Sequence, residues 1–197
     1  MFTKTQALIM KIFASNIDKR FSIKEVAEIL KKPYSLIHRS IQELLQDHFI
    51  IKDDKSLISL NYKENHSELA FIEALRAKDK LSRDKTVALF TKDVLERVKP
   101  DFFVFLIFGS FVEKVNPRDI DVLFIIDDET KVGETEKSLV NISGNFTKKF
   151  EFQVISVKSA YEMLAKRDKI NIINETLNKH IILFGAENYY RMVKNAR

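Results

Sequence analysis

Two carboxylates, Asp119 and Asp121, open the apolar stretch Asp119-Ile-Asp-Val-Leu-Phe-Ile-Ile126. Along a strand side chains alternate, so both acids fall on one face while Ile120 and Val122 fall on the other. At an effective dielectric of about 20, two such charges held ~4 Å apart repel by roughly 4 kcal/mol, so such a pair is expected to share a proton or hold a cation, two unrelated surface acids near a tight turn being the alternative. A divalent metal relieves that repulsion. Just upstream, Phe102 to Phe108 is a continuous apolar run, rich in aromatic and β-branched residues, that ends in Gly109-Ser110. This is the pattern of a strand buried on both faces.

Rival chemistries find little support. The chain has no Cys, which removes disulfides, thiolate zinc sites and a cysteine nucleophile, and its four His (His38, His48, His66, His180) are too scattered for metal-ligand spacing. Its four Gly form neither a phosphate-binding loop of the Walker type nor a dinucleotide fingerprint, and Ser110 lacks the flanking glycines of a hydrolase elbow.

The stretch Leu106-Ile-Phe-Gly-Ser-Phe-Val-Glu-Lys-Val-Asn-Pro-Arg-Asp-Ile-Asp-Val-Leu-Phe124 resembles the signature of the DNA polymerase β-like nucleotidyltransferases, most closely their small prokaryotic "minimal" members. The resemblance covers residues 84–197, and His180-Ile-Ile-Leu-Phe-Gly-Ala-Glu187 is similar to the closing strand and Gly turn of those members. It implies that Gly109 lets the backbone approach a triphosphate, that Ser110 bonds a phosphate oxygen, and that Asp119 and Asp121 hold Mg²⁺ or Mn²⁺. It also implies a third acid on a neighbouring strand. In Lys149-Phe-Glu-Phe-Gln-Val-Ile-Ser156, Glu151 is the acid flanked by apolar residues and so the candidate, an ordinary edge charge being the alternative. Where many small members carry Ala, a basic residue and Gly after the Ser, this chain has Val112, Glu113 and Lys114. Lys114 and Arg118 are the cations available for phosphate, a plain surface charge being the alternative for each.

The elements that must position this site begin with residues 1–62, which read as three helices and a hairpin. Leu8, Ile9, Ile12 and Phe13 share a helical face, and Ser22-Ile-Lys-Glu25 is a capping box opening a helix over about 23–30. Pro33 precedes a third helix with its buried stripe at Ile37, Ile41, Leu44 and Leu45. Phe49 to Lys52 and Ser56 to Leu60 form two strands joined by Asp53-Asp-Lys55. The segment resembles the winged helix-turn-helix family, with Lys31-Lys32 and Asp47-His48 at two turns that often carry Gly. The resemblance implies double-stranded DNA contacts from Lys31, Lys32, Tyr34, Ser35, His38, Arg39 and Gln42. The alternatives are a plain solvated helix face or a protein contact. Residues 64–99 read as helical, with 63–83 as a connector and Pro100 as a stop. No Gly/Ser-rich linker divides the halves, so they are expected to pack together.

Charge agrees with a polyanionic partner. The net charge is +5, and residues 1–62 hold ten basic against seven acidic side chains. No apolar run approaches the roughly 18 to 20 residues of a membrane span, and Lys11 interrupts the only N-terminal apolar stretch, so a soluble, cytoplasmic and unexported protein is expected. The expected fold class is α+β: a winged helix plus a nucleotidyltransferase domain whose small mixed sheet is flanked by helices. The expected activity is transfer of a nucleoside monophosphate from an NTP to a hydroxyl of a partner protein, an RNA end or a small molecule. Some small members of the family are antitoxins that modify a partner toxin. The other class is a non-catalytic transcriptional regulator that uses the same fold as a nucleotide sensor or homodimer contact.

Overall fold

Capping boxes start the first two helices of the computed structural model, which describes residues 1–98, 102–114, 117–166 and 171–196. At α1 (Lys4–Ala14) the Thr3 hydroxyl accepts from the Gln6 N–H at 3.2 Å and the Gln6 side chain accepts from the Thr3 N–H at 2.8 Å. At α2 (Ile23–Leu30) Ser22 and Glu25 make the same exchange, as expected from the sequence. Helix α3 (Tyr34–Gln46) begins directly after Pro33, which acts as its N-cap, and buries Ile37, Ile41 and Leu44.

The turns after α2 and α3 carry left-handed backbone without glycine: Lys31 has φ 50° and His48 φ 58°. Each closes its helix with a six-to-one and a five-to-two bond. Lys32 N–H reaches Ala27 O and Lys31 N–H reaches Glu28 O; Phe49 N–H reaches Leu44 O and His48 N–H reaches Leu45 O. These bonds satisfy orphan helix carbonyls and hold residues other than Gly in a conformation costing them about 1 to 2 kcal/mol. Lys31 and His48 therefore close these two turns without glycine.

Strands β1 (Ile50–Lys52) and β2 (Ile58–Leu60) pair antiparallel. Their turn is organised by Asp53, whose Oδ1 accepts from the N–H groups of Lys55 and Leu57, both at 2.9 Å. Helix α4 (His66–Leu81) follows, then α5 (Lys85–Arg97), capped by Asp84 through the Val87 N–H at 3.2 Å. Pro100, the expected stop, lies outside the described residues; α5 ends before it.

The rest of the chain builds the sheet: β3 (Phe103–Phe108), α6 (Ser110–Glu113), β4 (Asp119–Ile126), α7 (Val132–Ser143), β5 (Lys149–Ser156), α8 (Val157–Ala165), α9 (Ile172–Thr176), β6 (His180–Phe184) and α10 (Ala186–Ala196). Strand order is β5-β4-β3-β6, with β4 and β5 parallel and the other pairs antiparallel, so the sheet is mixed and the class α+β. Every residue of β3 is buried, which matches its unbroken apolar run.

The two faces of the sheet have different partners. Phe105, Ile107, Val122 and Phe124 pack with Phe90 of α5 and Leu139 of α7, and the Phe90 ring stacks on Phe150 at 4.0 Å. On the other face Val104, Leu106, Leu123 and Ile125 join Leu69 and Ile72 of α4 and Tyr189 and Tyr190 of α10. That second core continues without a break into Ile9, Phe13, Ile37 and Leu44. Helix α4, expected as a connector, is thus a wall shared by both halves. A backbone bond from Ile17 N–H to Leu177 O, 3.0 Å, adds a direct tie. Among the described residues no helix is long and apolar enough to cross a membrane.

Candidate active site

Strand pairing does most of the positioning. The parallel register of β4 on β5 sets Asp119 beside Lys149 and Asp121 beside Glu151, and the antiparallel register of β3 sets Phe108 beside Asp121. Because paired residues in register share a face, Asp119, Asp121, Lys149 and Glu151 lie on one surface at one end of the sheet. Their neighbours on the opposite face, Ile120 and Val122, are buried and anchor the strand.

Gly109 closes the corner between β3 and α6 at φ 66° and ψ −138°, a region L side chains rarely occupy. A Cβ there would stand 2.7 Å from Asp121 Oδ2. Only glycine leaves the Asp121 carboxylate its place. The Gly109 N–H donates to the Lys179 carbonyl at 3.2 Å, which ties the corner to the loop before β6. Ser110 is the first residue of α6 and is half-buried beside this corner.

The electrostatics are those of a site short of positive charge. Burial pushes the Asp121 carboxyl above its ordinary pKa, and the charges of Glu151, Glu175 and Asp119 push it further in the same direction. Asp119 Oδ1 is buried and accepts no hydrogen bond; the Lys149 ammonium stands 3.4 Å away. Lys149 also ion-pairs with Glu151, and the Glu151 carboxylate, foremost, raises the pKa of the lysine. An anionic oxygen left buried without a full partner is costly. A cation at Asp119 and Asp121 would remove that cost.

The donor set is all carboxylate, which suits a hard ion such as Mg²⁺ or Mn²⁺ over a softer one. With the orphaned Asp119 oxygen and the space kept open at Gly109, these residues fit such an ion, Asp119 and Asp121 holding it and Glu151 within the same strand pair. Among the described residues no three acidic or histidine side chains are already gathered about one point. Glu151 is engaged with Lys149.

The remaining expected contacts are placed less tightly. Lys114 and Arg118 are both exposed and flank residues 115–116, which lie outside the described residues. The loop they belong to is held by Lys80, whose ammonium donates to the carbonyls of Val112 at 3.1 Å and Lys114 at 3.2 Å and lies 4.7 Å from the Phe111 ring centre. On α3, Tyr34, Ser35, His38, Arg39 and Gln42 are exposed on one helix, with exposed Lys31 and half-buried Lys32 at the turn before it. Arg39 Nε pairs with Glu43 at 3.3 Å, and the rings of Tyr34 and His38 are 5.9 Å apart.

Three features escaped the sequence. Lys149 sat in the stretch that yielded Glu151, and the period of two puts it on the same face; that signal was there to read. Glu175 of α9 gave none. Nor did a buried polar network behind the site, in which Arg76 Nη1 donates to both Glu73 oxygens at 2.6 and 2.7 Å and the Tyr190 hydroxyl donates to Glu73 Oε1 at 2.9 Å. Arg76 Nη2 donates to the His180 carbonyl at 2.5 Å, and His180 Nδ1 lies 2.5 Å from the Thr176 carbonyl, one residue beyond Glu175. Compared with family models, curated proteins and solved structures, the chain matches none of them.

Proposed function

We propose that the chain is a metal-dependent nucleotidyltransferase of the DNA polymerase β-like kind, joined to a winged-helix unit that binds double-stranded DNA. The observation that carries this reading is the paired-strand placement of Asp119, Asp121 and Glu151 on one face, with Asp121 against the Gly109 corner.

In this reading Asp119 and Asp121 would hold a Mg²⁺ or Mn²⁺ ion, which when bound would supply positive charge against the triphosphate and the charge that develops on it. The absence of a side chain at Gly109 lets the triphosphate approach the backbone, and the Ser110 hydroxyl donates to a phosphate oxygen. Glu151 takes the proton from the attacking hydroxyl as its oxygen bonds to the α-phosphorus. The bond from the α-phosphorus to the bridging oxygen breaks, and pyrophosphate leaves. Phosphoryl transfer asks chiefly for positioning and charge neutralisation; carboxylates on a rigid strand pair would supply the positioning, and the cation they would hold the neutralisation. The exposed polar face of α3 and the basic turn at Lys31 and Lys32 supply phosphate and base-edge contacts to DNA.

The test is transfer of label from α-phosphorus-labelled ribonucleotides to macromolecules in cognate lysate. The intact chain should label an acceptor with at least one of the four nucleotides, and Asp121→Asn should lower the label by roughly 100-fold or more. Nucleotide binding without any label, with DNA binding retained, would overturn the enzyme in favour of the regulator.

A further inference from the structure

Lys149 holds a position that the nucleotidyltransferase reading leaves unexplained. It is the strand partner of Asp119 and lies two residues before Glu151 on the same face. Its ammonium ion-pairs with Glu151 and stands 3.4 Å from Asp119 Oδ1, the buried oxygen that accepts no hydrogen bond. Lys148, one residue earlier, takes the other direction and pairs with Asp84 at the start of α5. The lysine that opens β5 thus goes to the carboxylates, and the one just before the strand goes to the fold. The Lys149 side chain is 64% exposed, so it can leave its partners without disturbing the core.

We propose that Lys149 is a place-holding cation that neutralises Asp119 and Glu151 in the free protein, keeps a bare divalent ion out, and moves onto the phosphate oxygens when metal and triphosphate arrive together. The inference rests on the nucleotidyltransferase reading and adds an order of binding to it. A bare divalent ion must push a like-charged ammonium away from two carboxylates and leave it in water. A metal-triphosphate complex brings its own anionic oxygens, so the displaced ammonium exchanges one set of acceptors for another. The same exchange makes Lys149 a positioning residue for the triphosphate. Metal entry is thereby coupled to nucleotide entry.

Mn²⁺ binding to the full chain, followed by the electron paramagnetic resonance signal of free Mn²⁺, tests this without any turnover. Lys149→Gln should tighten binding of Mn²⁺ alone about 10-fold, because one positive charge is gone from beside the carboxylates, whereas Lys149→Arg should behave as the parent. Adding a non-hydrolysable NTP should strengthen Mn²⁺ binding markedly in the parent and in Lys149→Arg, and little in Lys149→Gln. Circular dichroism should show all three folded alike. Equal Mn²⁺ affinity in the parent and Lys149→Gln, with Asp121→Asn still abolishing binding, would overturn the role of Lys149 and leave the metal site standing. Mn²⁺ binding that Asp121→Asn does not weaken would instead overturn the site itself.

Discussion

Glu73→Gln should destabilise the protein by about 3 to 5 kcal/mol, the usual cost of breaking a buried ion pair by removing one partner. Glu73 is 1% exposed and Arg76 5%, and both are gripped by groups far away in sequence. Removing the carboxylate charge would leave the Arg76 guanidinium buried against His180 without its counter-ion and deprive the Tyr190 hydroxyl of its anionic acceptor. Burial alone would raise the pKa of Glu73, but the charges of Arg76, then His180, together with hydrogen bonds from His180 and Tyr190, outweigh it and hold the value at about 2. A carboxyl lowered from 4.5 stabilises the fold fully above that pH and loses its contribution as pH falls toward about 2. Urea denaturation of the parent should therefore show stability falling through that window. In Glu73→Gln the corresponding part of the acid slope should vanish.

The second large effect is on the site. Gly109→Ala should leave a folded protein that lacks the proposed metal and nucleotide binding. At φ 66° and ψ −138° an alanine carries backbone strain of about 1 to 3 kcal/mol, and its Cβ would stand 2.7 Å from Asp121 Oδ2. The clashing atom ends a short side chain, so the clash is relieved by turning the carboxylate away. That turn takes Asp121 from the position it needs. Gly185→Ala provides the contrast, for there the new Cβ would lie 2.3 Å from the backbone oxygen of Phe103 and 3.1 Å from Val104 Cα, atoms fixed in β3. Thermal unfolding should separate the two: a modest shift for Gly109→Ala and a severe one for Gly185→Ala, with Mn²⁺-NTP binding lost at any temperature only in the first.

What could be read along the chain followed from local rules. The Ser22 and Glu25 box, the stripe of α3 and the alternation of β4 each depend on residues a few positions apart, and α2, β4 and β5 occupy the spans their patterns suggest. Glu151 was reachable because its flanking residues mark a strand, though its pairing with Asp121 required the strand order. The network around Glu73 was not reachable. It joins α4 to His180 and Tyr190, more than 100 residues on, and nothing in a helical stripe reveals that one of its buried positions will be an acid matched by an arginine three residues later. The shared core had the same cause: α4 looked like a link because its second packing surface is supplied by β6 and α10, late in the chain.

The most direct test of the metal site is a crystal structure grown with Mn²⁺ and a non-hydrolysable NTP, read by the anomalous signal of the metal. The expected result is a peak within ~2.2 Å of carboxylate oxygens of both Asp119 and Asp121, with Glu151 released from Lys149 and the triphosphate against the Gly109 corner. A metal bound elsewhere, or a nucleotide bound with Lys149 still paired to Asp119 and Glu151, would contradict it.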